Sequence, residues 1–142
     1  MSCGPLLAAI PRMNEPSDGR KRILALHQRA LTFSTRINQS YPAGAINYPS
    51  RVVWDQLVRA SDGASNNLIE ADAASSRADF LNKMRIALRE ATESRACLSK
   101  IRMGTLANAE RVHALLLERE ADELAAIFAT IVKNAASSNR KQ

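Results

Sequence analysis

Aromatic side chains are scarce: Phe, Tyr and Trp make up only 4% of the 142 residues, and there is one Trp. Aliphatic residues and alanine must therefore fill any core, within a hydrophobic content of 46%. Helix breakers are equally few. All five Pro lie before residue 50, and Gly63 and Gly104 are the only glycines beyond it. The long Ala-, Leu- and Arg-rich stretches that remain favour helix and exclude a β-rich fold. Cys3 and Cys97 stand far apart in no CxxC pattern, which excludes a disulfide framework and points to a reducing compartment. No apolar run reaches the 18 or so residues of a spanning helix. The short stretch from Pro5 to Ile10 lacks the basic flank of a signal peptide. These absences predict a soluble, cytoplasmic protein with no membrane association, and the length predicts one domain with a single core.

Catalytic signatures are also missing. His27 and His113 are the only histidines, each alone on its helix, and Glu110-Arg-Val-His113 occurs once without a partner copy. A carboxylate-bridged metal centre in a helical bundle needs that motif twice, so no metal site is expected. No GxxxxGK[ST] or GxGxxG loop exists to cradle phosphate. Ser75-Ser76 reads as helix capping, and Cys97 as a small buried apolar residue beside Leu98. The expectation is a non-enzymatic protein with no catalytic residues and no cofactor.

What is present is helical periodicity. Residues 1–17 hold Gly4, Pro5, Pro11 and Pro16 and read as a flexible N-terminal arm. Asp18 can cap a first helix from about Arg20 to Ser40, with Ile23, Leu26, Ala30, Phe33 and Ile37 along one face. Tyr41 to Pro49 reads as a loop with proline near both ends. Ser50 then caps a second helix reaching about Ala73, whose Trp54, Leu57, Ser61, Ala64, Ser65 and Leu68 share a face. Ser76, with Asp79 three residues on, opens a third helix. Its seam of Phe80, Met84, Ala87, Ala91, Ser94, Leu98 and Ile101 ends at Gly104. A short turn with Asn108 as cap leads to a fourth helix, ending near Ala136. Its seam is Leu117, Ala121, Leu124, Phe128, Ile131 and Ala135, broadened by Leu116 and Ile127. Residues 137–142 read as a disordered polar tail. The pattern predicts an all-α, antiparallel up-down-up-down four-helix bundle over residues 18–136.

Charge is unevenly spread along these helices. The formal net charge is +6, and fifteen of the twenty basic residues are Arg. Residues 61–75 carry only Asp62, Glu70 and Asp72, whereas basic residues concentrate on helices one and three. Arg22, Arg29 and Arg36 recur every seven residues and form one stripe, and helix three carries Arg85, Arg89, Arg95 and Arg102. Such guanidinium stripes suit phosphates; solvated surface arginine, with Asp79–Lys83 and Arg89–Glu93 as ordinary i,i+4 pairs, is the alternative. With so few aromatics to stack on bases, sequence-specific readout of single strands is not expected. On helix two, Gln56, Gly63, Asn67 and Glu70 fall within about 60° of one another, with Arg59 beside them. That stripe is either a solvated outer face or a helix-helix or subunit contact. Gly63 at its centre, a glycine costing roughly 1 kcal/mol in mid-helix, would admit another backbone.

One run of landmarks carries a resemblance. Gln56-Leu57-x-Arg59-Ala60, Asn67-x-x-Glu70-Ala71, Ser76-x-x-Asp79-Phe80-x-x-Lys83 and Ile86-Ala87-x-Arg89-Glu90-Ala91-x-Glu93-Ser94 follow in order. With Glu120-Ala-Asp-Glu-Leu124, they resemble the small bacterial four helix bundle proteins. That family includes proteins encoded in intervening sequences of large-subunit ribosomal RNA genes, and is related to the accessory variability determinant of diversity-generating retroelements. The resemblance implies a four-helix bundle, a ring-like homo-oligomer such as a pentamer, and, in the retroelement branch, binding of structured RNA and of a reverse transcriptase. It marks Gln56, Arg59, Asn67 and Glu70 as family-motif or interface positions. Ala96 and Cys97 stand where a similar subgroup carries aromatics, and Ala71 where other members carry glycine. The expected function is that of a nucleic-acid-binding accessory factor with Arg22, Arg29, Arg36, Arg85, Arg89, Arg95 and Arg102 as contacts; the alternative is a protein-docking scaffold without nucleic-acid binding.

Overall fold

The structure is a computed structural model describing residues 15–104 and 108–140, with the side chains of residues 108, 109, 139 and 140 excepted. Most of the expected N-terminal arm, Cys3 and residues 105–107 of the expected turn lie outside the described residues, and Asn108, expected as a cap, is the first described residue of the fourth helix. The described residues form four helices and no strand: α1 (Asp18–Ser40), α2 (Tyr48–Asp72), α3 (Arg77–Met103) and α4 (Asn108–Arg140). None is long and apolar enough to cross a membrane.

Local capping chemistry sets the helix starts, and twice it moves them from the expected residue. Ser17, not Asp18, caps α1: its Oγ accepts from the Arg20 N–H at 3.2 Å. Asp18 instead occupies the first turn, where a carboxylate meets the positive end of the helix dipole. Asn47, not Ser50, caps α2, its side-chain oxygen accepting from the Ser50 N–H at 2.9 Å. Pro49 then falls inside the first turn, where its missing N–H costs nothing. Ser76 caps α3 as the sequence indicates, accepting from the Asp79 N–H at 3.1 Å. Gly104 ends α3 in extended backbone, and its N–H donates to the Lys100 and Ile101 carbonyls. At its far end α4 continues to Arg140, past the expected boundary at Ala136. There the Ser137 and Ser138 hydroxyls donate back to the Lys133 and Asn134 carbonyls, so polar residues extend the helix.

Cross-helix contacts define the topology. The start of α1 meets the end of α2 (Arg20–Asp72), and the end of α2 meets the start of α3 (Glu70–Lys83). The end of α3 meets the early part of α4 (Arg102–Glu118), and α4 returns beside α1 (Ser40–His113, Arg29–Glu120). Every neighbouring pair is therefore antiparallel, and the bundle runs up-down-up-down. Because α1 packs on α2 and α4, and α3 on the same two, α1 and α3 occupy opposite corners.

The core follows the expected seams. Phe33, Ile37, Leu57, Met84, Leu98, Leu124 and Phe128 are fully buried. Small residues complete it: Ala60, Ser61, Ala64, Ser65, Ala87, Ala91, Ser94 and Ala121 let α2, α3 and α4 approach closely. The buried hydroxyls of α2 and α3 are satisfied on their own helices, Ser61 donating to the Val58 carbonyl and Ser94 to that of Glu90, whereas Ser34 of α1 donates across to Asp62 of α2. Cys97 is buried as expected, and burial pushes its thiol pKa up. Two seam positions depart: Ile23 and Leu116 are exposed, at 41% and 57%. Both border the groove between α1 and α4, where those two helices stand apart.

Candidate nucleic-acid interface

The structure sorts the seven candidate arginines by what lies on α4. That helix carries Glu118, Glu120, Asp122 and Glu123 within two turns, and each reaches a guanidinium. Arg29 is gripped at both ends: its Nε lies 2.6 Å from Glu120 Oε1, one terminal nitrogen donates to Glu120 Oε2 at 2.9 Å, and the same nitrogen contacts Glu123. These hydrogen bonds, first the one from Glu120, hold the Arg29 pKa above its ordinary value although burial opposes them. Arg102 Nε donates to Glu118 Oε2 at 2.5 Å, while Ser99 donates to Glu118 Oε1 at 2.5 Å. The Arg102 bond outweighs burial and keeps the Glu118 carboxyl below its usual range. Arg95 pairs with Asp122 at 3.0 Å. Arg29, Arg95 and Arg102 are thus neutralised clasps between helices, so the stripe Arg22–Arg29–Arg36 is broken at its centre.

Arg22, Arg36, Arg85 and Arg89 have no ion-pair partner among the described residues, and all four are exposed. They do not form one surface, because α1 and α3 lie at opposite corners. On α3, Arg85, Arg89 and Lys100 project opposite the buried Met84, Ala87, Ala91 and Leu98. At 1.5 Å per residue this stripe spans about 22 Å. The expected Arg89–Glu93 ion pair does not form, and Lys83 passes over Asp79 to reach Glu70 on α2 at 2.8 Å. That cross-helix bond to Glu70 raises the Lys83 pKa.

The motif positions on α2 also separate. Gln56 and Arg59 are exposed, and Arg59 bends back to its own helix, Nε donating to the Asp55 carbonyl at 3.4 Å. Asn67 donates to the Gly63 carbonyl at 2.8 Å, again within α2. Of these polar side chains, only Glu70 crosses to another helix. Gly63 admits a side chain rather than a backbone: a Cβ there would lie 3.1 Å from Glu90 Cγ and Cδ of α3. Burial raises the Glu90 carboxyl pKa, with Glu93 adding to the effect and Arg89 opposing it.

Both histidines take up polar contacts that their sequence context did not reveal. His27 is nearly buried, its Nε2 3.7 Å from Asp72 Oδ2 with no hydrogen-bond partner. His113 Nε2 lies 2.7 Å from Ser40 Oγ, joining the end of α1 to the start of α4. Among the described residues no group of three or more His, Cys, Asp or Glu is placed to hold a metal ion. Between α1 and α4 a groove of about 960 Å³ is floored by Phe33 and Leu117 and edged by Arg36, Gln39 and Leu116. Periodicity misses these features because they depend on how far α1 stands from α4.

Comparison with known proteins agrees with this architecture. No curated protein matches the chain. A solved structure from Bacteroides thetaiotaomicron VPI-5482, described as a protein of unknown function from the S23 ribosomal protein family, is 27% identical. It superposes with a TM-score of 0.65 over 78% of this chain and 97% of the other. The family model for the 23S rRNA-intervening sequence protein matches residues 22–130, which takes in all of α2 and α3 and most of α1 and α4. The chain therefore belongs to the 23S rRNA-intervening sequence protein family.

Proposed function

We propose that this protein is a non-enzymatic accessory factor that binds structured nucleic acid along the outer face of α3. The carrying observation is the division of charge. The carboxylates of α4 are spent on Arg29, Arg95 and Arg102, leaving Arg85, Arg89 and Lys100 facing solvent without an ion-pair partner among the described residues. Arg85, Arg89 and Lys100 share one face of a rigid helix, with Glu93 exposed between Arg89 and Lys100, and cations so placed meet phosphates and read backbone rather than sequence. Arg22 and Arg36, on the opposite corner, supply a second and weaker contact. The name of the family fits a role beside ribosomal RNA, and a reverse transcriptase with its RNA is the partner in the retroelement version of the same reading. The exposed Leu116 at the α1–α4 groove, with exposed Val112 one turn before it on α4, favours self-association into a ring. The same apolar patch supports a second reading, a docking scaffold for another protein.

Binding of a fluorescent RNA hairpin and a DNA duplex, measured across salt, tests the proposal. Affinity should fall steeply with salt, and Arg85→Glu with Arg89→Glu should weaken it and reduce the log-log slope by about one for each arginine replaced. Undetectable binding at low salt removes the nucleic-acid reading and leaves the docking scaffold. A strictly monomeric protein in light scattering removes the ring.

A further inference from the structure

We infer that the bundle end around Trp54 is a pocket for one unpaired nucleobase of the bound nucleic acid, an inference that rests on the nucleic-acid reading above. A cavity of about 680 Å³ opens where the end of α1, the start of α2, the end of α3 and the start of α4 converge. This lies within the range of small-molecule sites, on the order of 300–1,000 Å³. Its apolar lining includes Trp54, Pro42, Ile46 and Ile101, a setting that can take a planar ring. Trp54 is fixed from behind, since the Tyr41 ring meets it edge-on at 5.9 Å and 64° and the Tyr41 hydroxyl donates to Asp55 at 2.7 Å. A stacking platform is effective when its orientation is already set.

The polar groups of the cavity match a base edge. Gln39 brings an amide that both donates and accepts, and the Ser40 hydroxyl, which donates to the Arg36 carbonyl at 2.6 Å and accepts from His113, adds a further acceptor. The phosphate has its own place outside. A smaller cavity shares Ser50, Trp54 and Ile101 with the first and is bordered by Lys100. Lys100 is also the last cation of the α3 row, so that row leads along the backbone to the ring. One fixed aromatic serves one extruded base, the common mode where RNA presents loops and bulges. It does not serve the stacked run of bases that the scarcity of aromatics argues against.

Because Trp54 is the sole tryptophan, its fluorescence reports on the pocket directly. Two RNA probes of equal charge would be titrated, a fully paired duplex and the same duplex with a single-nucleotide bulge. The bulged probe should quench Trp54 and bind about tenfold tighter, as expected for one stacked base. Ser50→Phe, at an exposed position whose backbone N–H keeps its bond to Asn47, should fill the mouth and abolish that preference. Gln39→Ala, also at an exposed position, should reduce the preference without altering helical content. Arg85→Glu with Arg89→Glu should weaken both probes equally and preserve their ratio. Equal affinities without quenching overturn the pocket and leave α3 binding standing. If neither probe binds, both readings fall together.

Discussion

Replacing Gly63 with alanine separates an intrinsic helix effect from a packing effect at one position. Alanine in mid-helix is favoured over glycine by about 1 kcal/mol. At Gly63, however, the added methyl carbon would sit 3.1 Å from both Glu90 Cγ and Cδ. Those atoms belong to the outer, carboxylate half of the side chain, which must give way by a few tenths of an ångström, at a cost of about 0.5–1.5 kcal/mol where Glu90 is pushed off its rotamer. The two contributions nearly cancel, and Gly63→Ala alone should change stability by no more than about 0.5 kcal/mol. With Glu90→Ala already present the obstruction is gone, and the same substitution should stabilise by the full amount of about 1 kcal/mol. Urea unfolding followed by helical circular dichroism on the four proteins of the cycle gives the coupling, expected at about 0.5–1.5 kcal/mol. If Gly63→Ala yields the same gain in both backgrounds, Glu90 does not pack on Gly63 and the explanation for the mid-helix glycine fails.

Arg29→Glu should destabilise the fold by about 1 kcal/mol, discounted for its part-exposed setting, and adding Glu120→Arg should recover part of that loss in the same unfolding assay. By contrast, Arg22→Glu and Arg36→Glu should stay within about 0.5 kcal/mol of wild type. Glu118 has a depressed folded pKa, so its stabilisation is complete above the ordinary Glu value of about 4.3 and is lost as pH falls through the lower folded value. A pH series of unfolding curves should therefore show wild type losing more stability below about pH 4.3 than Glu118→Gln does. Amides of α1 should exchange with solvent through smaller openings than those of α3; equal protection in native-state hydrogen exchange would refute the looser seating of α1.

How much of this was readable in advance depends on the kind of signal. The four seams were readable because burial follows the three-to-four residue spacing almost one for one: Phe33, Leu57, Met84 and Leu124 sit in the core where periodicity puts them. Helix starts were readable only to within a few residues. Ser17 beside Asp18 and Asn47 near Ser50 offer competing caps, and the choice turns on a single backbone angle that no pattern encodes. The charge pairing was not readable. Lys83 has Asp79 four residues away yet bonds to Glu70 on the next helix, and Arg29 finds Glu120 across 91 positions of chain. A basic stripe counted on one helix says nothing of the acids facing it, so three of the seven candidate arginines prove to be structural. Trp54 reads as a core residue on its helical face; only the convergence of four helix ends shows it lining a cavity.

The helices are seated unequally. α3 closes on α2 and on α4 through small buried residues such as Ala60, Ala64, Ala87, Ala91 and Ala121, while α2 and α4 stand at opposite corners. α1 buries Ala30, Phe33, Ser34 and Ile37, and a groove opens between it and α4. Apolar packing cannot bridge that gap, and polar contacts span it instead: Arg29 with Glu120 and Glu123 midway, and Ser40 with His113 at the end. Such clasps are partly exposed and salt-sensitive, worth little individually. A helix held in this way can shift against α4 without disturbing the α2–α3 and α3–α4 contacts. Under the proposed function this divides the surface: α3, packed on both flanks, would present its cations at fixed spacing, while the α1–α4 side would be left for a subunit or partner.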